Sequence, residues 1–139
     1  MTIRLATARA IADAAYIGAE AKGLTSIGIV VTDPGGHIRF AMRSDAQGIF
    51  GIDTATGKAR TALGFNRSSL LLSKTFVDPC SVASLSGATG GAFLPLGGGV
   101  VVQDKGVTVG AAALSGGMPD DDDAIIRAAV EAAGLTCLA

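Results

Sequence analysis

A chain of 139 residues with a net charge of −1 has the size of one domain, and it lacks the clustered basic face that nucleic acid needs. Hydrophobic residues reach 49%, yet no run of about 18 apolar residues occurs, so no membrane span is expected. Cys80 and Cys137, the two cysteines, are too few for a disulfide framework or a four-ligand zinc site.

The N-terminus, Met1-Thr2-Ile3-Arg4, leads into an Ala-rich stretch that includes Asp13 and Glu20. A secretory signal would need an uninterrupted apolar core there, so a cytoplasmic location is expected. Thr7 to Lys22 reads as a helix, with Thr7 as N-cap, Ala8, Ile11, Ala12 and Ala15 at helical spacing, and Gly23 at its end. Ser26 to Thr32 and Gly36 to Arg43 form a hairpin across Asp33-Pro34-Gly35-Gly36. In its second strand Ile38, Phe40 and Met42 alternate with His37, Arg39, Ala41 and Arg43, which gives one core face and one polar face. Asp53 is placed to cap a helix over Thr54 to Phe65, and a short helix follows around Ser68 to Lys74.

Ser84 to Gly99, dense in Gly, Ser and Ala, reads as a long loop with room for a short strand at Ala92 to Leu96. Val100 to Gln103 and Val107 to Leu114 are strands joined by Asp104-Lys105-Gly106, apolar on both faces and therefore covered on both. Pro119 and the aspartates open a last helix, Asp121 to Ala133, which Gly134 ends. The order α-ββ-α-α-ββ-α, with hairpins in place of crossovers, predicts one α+β domain over residues 1–139: an antiparallel sheet flanked by helices. Aromatics are only 4%, Gly number 20, and mean hydropathy is +0.50. Such an oily, small-residue surface predicts a homo-oligomer.

Arg43 and Asp45 stand at the far end of the first hairpin, and Lys58 lies just beyond on a stripe with Thr54, Thr61 and Phe65. Two readings stay open. One is a surface ion pair plus an ordinary helix lysine. The other is a polar pocket in which a half-buried Lys58 ammonium and an Arg43 clamp take an anionic small molecule. The candidate ligand-binding set is Arg43, Asp45, Lys58 and Thr61 with the backbone of Gly98 and Gly99; if a reaction occurs, Lys58 or Asp45 is the base.

Other candidates have blander explanations that are favoured. His37, just after the turn, reads as a solvent-exposed imidazole rather than a metal or haem ligand. The glycines of 86–91 and 96–99 lack the P-loop Lys-Ser/Thr, so flexibility or tight packing is the better account. Asp120 to Asp123 lack EF-hand spacing and suit a helix's first turn. Ser115-Gly116-Gly117 has no nucleophile elbow. Cys80 reads as a buried small side chain.

Val31, Asp33 and Gly36, then Arg43 and Asp45, then Lys58, Ala59 and Ala62, and finally Gly98, Gly99, Gly110, Ser115, Gly116 and Asp122 follow a recurring pattern in order along nearly the full chain. In this the chain resembles the GlcG/HbpS family, a haem-degrading domain formerly of unknown function and also found fused to corrinoid adenosyltransferases. The resemblance implies a five-stranded antiparallel sheet with helices, of profilin-like type, and dimers that build larger rings or octamers. It also implies haem binding or redox-linked sensing for some members. The chain departs from the family at Val101, where a Pro is usual, and at Ala113, where a Gly is usual. Its first helix carries Tyr16 but no His.

Three functions follow as alternatives: an oligomeric accessory protein binding haem, another tetrapyrrole or a similar small molecule; a small metabolic enzyme of isomerase, lyase or hydrolase type acting on a carboxylate or carbonyl substrate; or a structural oligomer without ligand. No metal site is expected among the candidates, and the expected partners are further copies of the chain and an anionic small molecule, with neither nucleic acid nor membrane.

Overall fold

The computed structural model describes residues 1–139. Helix α1 (Leu5–Ala21) buries the stripe Ala8, Ile11, Ala12, Ala15 and Ala19. It starts two residues before the expected cap: Arg4 occupies the N-cap without a side-chain bond, so Thr7 does not cap it. Beyond its end Gly23 takes φ +81, the left-handed residue that closes a helix.

Strands β1 (Gly28–Thr32) and β2 (Ile38–Arg43) pair antiparallel as the hairpin pattern requires. The turn between them is tied by the Asp33 carboxylate, which accepts from the Gly35 and His37 amides at 2.9 and 3.0 Å. Helix α2 (Gly51–Phe65) begins earlier than Asp53, which sits in its first turn while Phe50 is the N-cap. Helix α3 (Ser69–Thr75) is capped by the Ser68 hydroxyl, which accepts from the Leu71 amide at 3.2 Å.

The predicted loop after Ser84 is corrected by a helix, α4 (Pro79–Ala88), with Asp78 as cap and Pro79 at its start. No strand forms at 92–96, and Cys80, on α4, is exposed rather than buried. Strands β3 (Gly99–Asp104) and β4 (Val107–Ser115) turn through Lys105 and Gly106, both at positive φ, as a two-residue hairpin wants. Helix α5 (Pro119–Ala132) and the two-residue β5 (Thr136–Cys137) end the chain.

The sheet has five strands in the order β2-β1-β4-β3-β5, and every pairing is antiparallel. Strand alternation divides the apolar residues between two faces. Ile29, Val31, Val100, Val102, Ala112 and Leu114 pack with buried residues of α1 and α5. Val30, Ala111 and Ala113 meet Ala55 and Ala59 of α2 on the other face. Because those contacts are mostly alanine, α2 lies very close to the sheet. A Cβ on Gly99 would stand 2.3 Å from the Lys58 carbonyl oxygen, so only glycine fits under the helix. That close approach carries the Lys58 side chain past the ends of β3 and β4.

A buried lysine and aspartate as the candidate functional site

Lys58 is only 4% exposed, although it is a long cation on a helix that opens at the surface. Its ammonium donates to the Leu114 carbonyl at 3.0 Å and to Asp122 Oδ2 at 3.3 Å. Asp122, fully buried in the first turn of α5, accepts from the Gly117 amide through its other oxygen at 3.0 Å. The pair therefore bolts α2 to α5 around the end of the sheet. Burial pushes the Lys58 ammonium below its ordinary range against the pull of Asp122, and burial pushes the Asp122 carboxyl up against the pull of Lys58. On both partners desolvation outweighs attraction.

Neutral hydrogen bonds finish the region. Ser69 Oγ accepts from the Gly99 amide at 2.8 Å. Ser115 Oγ donates to the Gly51 carbonyl at 3.1 Å and accepts from Gln47 Nε2 at 3.4 Å, and Ser26 donates to the Gln47 carbonyl oxygen. Thr61, one helical turn beyond Lys58, accepts from the Leu94 amide at 2.7 Å and donates to the Ala92 carbonyl at 3.2 Å, pinning the segment that leads to β3. Replacing Thr61 with Val keeps the shape and orphans that amide. The expected loss is about 1–2 kcal/mol, read as a lower denaturant midpoint at unchanged slope.

Of the candidate set, the structure brings together Lys58, Gly98 and Gly99. Arg43 and Asp45 are exposed and form no ion pair or side-chain hydrogen bond, with Lys58 or with anything else. The expected meeting of the three charges does not form. The reason is strand order: Arg43 lies on edge strand β2, two strands from β4, whose Leu114 carbonyl holds the Lys58 ammonium. At the usual spacing that is about 10 Å. Sequence reasoning placed Asp122 in a capping turn and missed it as the partner of Lys58, along with Ser69 and Gln47. The available signal was a run of four acids of which only some can face solvent.

The arrangement ties α2 to α5 through two of the three N–H donors of the ammonium. The Lys58 ammonium has a carboxylate and a carbonyl already in place. The two largest clefts, about 390 Å³ around Ile3, Arg4 and Asp104 and about 360 Å³ between α1 and α5, are lined by other residues. The histidine and the two cysteines lie apart from it. His37 is 83% exposed in the β1–β2 turn beside Asp33. Cys80 is exposed, and burial pushes the Cys137 thiol up to about 11. No three His, Cys, Asp or Glu side chains gather as metal ligands.

Several solved proteins share this architecture. A double mutant of Streptomyces reticuli HbpS is 27% identical, with 95% of this chain and 87% of that one covered at a TM-score of 0.81. Protein ORFY of Klebsiella pneumoniae is 23% identical, with 96% and 92% covered at 0.87. PduOC, solved as a haem complex, is 21% identical, with 97% of each chain covered at 0.86. No curated protein sequence matches the chain. Residues 3–131 match the family model described as haem degrading protein HbpS-like, and the chain therefore belongs to that family.

Proposed function

We propose that this chain is a tetrapyrrole-binding accessory protein that works as a homo-oligomer, and not an enzyme using Lys58 or Asp45 as a base. One observation carries the reading. In the loop that follows Arg43, Ile49 and Phe50 are 75% and 70% exposed, and this loop folds over Gly28, the β1 partner of Arg43. Two bare apolar side chains in the loop that leaves the Arg43 strand, with that guanidinium itself exposed, suit a flat apolar ring with carboxylate edges. The family's haem-degrading description and the haem complex of PduOC support the same ligand class. The enzyme reading is weakened at Lys58, whose ammonium is already held by Leu114 and Asp122, and is left with the exposed Asp45 as its base.

Neither histidine nor cysteine is placed to ligate haem iron within one chain: the single histidine is in a solvent-exposed turn, Cys80 is exposed, and burial holds Cys137 as a thiol. The ring and its propionates, not the iron, supply the contacts in this reading, with Arg43 as clamp and Asp45 at the rim. Lys58, Gly98 and Gly99 form the rigid support behind, and Thr61 holds the flanking segment. A cytoplasmic location is part of the proposal; separately, no helix is long and apolar enough to cross a membrane.

The test is a paired titration with haem and with metal-free protoporphyrin, followed by absorbance and by fluorescence. Both are expected to bind with similar dissociation constants, and Arg43→Ala is expected to weaken both about tenfold. Absence of binding by either ring removes the proposal. Tight binding of haem with none of the free porphyrin restores an iron ligand and removes the ring-only mode.

A further inference from the structure

Helix α4 is out of place in this fold. None of its ten residues is buried, and it packs extensively against no other helix or strand. A helix this short does not persist in water by itself; helices of this length owe their stability to a packed face. Its composition deepens the problem, because Ser81, Ser84, Ser86, Gly87, Cys80 and Val82 are all indifferent or poor helix formers. The Asp78 cap and Pro79 fix where the helix starts, but they give it nothing to lie on. Just ahead of it Val77 is bare.

Charge identifies what covers it. From Pro79 to Gln103 the chain contains no Asp, Glu, Lys, Arg or His, and α4 is the one helix without a charged residue. A nucleic acid or an anionic bilayer finds nothing there to neutralise. An identical helix does fit. Across a two-fold axis each residue near the axis meets its own copy, so any charge there would oppose itself, and this segment has none. Its serines, alanines and glycine also let two backbones approach closely.

We propose that α4 is a self-association helix, packing against α4 of a second copy of this chain across a two-fold axis. The proposal rests on the homo-oligomer part of the functional reading and gives that assembly its contact surface. Light scattering on the purified chain and on Ala83→Glu, an exposed position at mid-helix, tests it. The wild type is expected to have the mass of at least two chains, and Ala83→Glu to lower that mass by half through glutamates facing each other. A Cys80→Ser/Ala83→Cys variant provides an arm that adds no charge: mild oxidation is expected to link two chains through position 83. A wild-type oligomer whose mass ignores Ala83→Glu and which does not cross-link overturns the α4 assignment while self-association stands. A wild-type monomer at every concentration overturns both.

Discussion

Replacing Lys58 with Met is expected to cost the fold about 3–5 kcal/mol at neutral pH and to lower Tm by roughly 10–15 °C in a thermal scan followed by circular dichroism. The side chain removed is nearly inaccessible, and its loss leaves the fully buried Asp122 carboxylate with only the Gly117 amide for support. An unpaired buried charge, not a missing contact, accounts for most of the penalty. The double variant Lys58→Met/Asp122→Leu discriminates. If the pair is a structural clamp, removing both charges is expected to recover most of the loss, because burial outweighs attraction on each partner. Full stability of Lys58→Met alone would show that the clamp does not hold α2 to α5.

The same single variant carries a pH signature. In the native protein Asp122 already sits above its ordinary carboxyl value, chiefly through burial, with Lys58 the main influence pulling it down. Without Lys58 the native value rises further while the unfolded value stays near 4. Between those two values the native state binds a proton that the unfolded state does not, so stability falls as pH rises through the window. Lys58→Met is therefore expected to regain stability on acidification from neutral pH toward 5, relative to the wild type, in denaturant titrations. The double variant, lacking the carboxyl, is expected to lose this slope.

Most of the architecture was legible because it is written locally. The alanine and isoleucine stripe of α1, the Ser68 cap and the Lys105-Gly106 turn each state their element within a few residues. Helix α4 was not legible for a physical reason: its residues carry neither helical propensity nor a fully buried stripe, and no other helix or strand packs extensively on it. Strand β5, two residues long, falls below any periodicity, although the family resemblance implied a fifth strand. The site depends on long-range order. Lys58 and Asp122 are 64 residues apart, and an acid in a first helical turn already has a sufficient local explanation. Arg43 looked close to Lys58 because hairpins say which strands are consecutive but not which lie at the edge. The order β2-β1-β4-β3-β5 is what separates them.

Gly98→Ala is expected to cost about 3–5 kcal/mol, seen as a lower denaturant midpoint with the slope preserved. Gly98 holds φ +122, which L side chains rarely adopt, while its carbonyl accepts from the Leu114 amide at 2.9 Å. An added Cβ would stand 2.5 Å from the Leu114 carbonyl oxygen, 3.0 Å from Asp122 Cβ and 3.1 Å from Lys58 Nζ. Backbone oxygen on one side and a buried ion pair on the other leave it no soft neighbour to displace. Gly64→Ala is the matched control: on α2, with nothing within 4 Å of the new methyl, it is expected to stabilise by about 0.5–1 kcal/mol. Since the Gly98 methyl would damage the same contacts that Lys58→Met removes, the combined variant is expected to lose less than the sum of the two single losses. Strict additivity would mean that the glycine and the lysine act on separate parts of the fold, and the sheet end would then not be a single clamp.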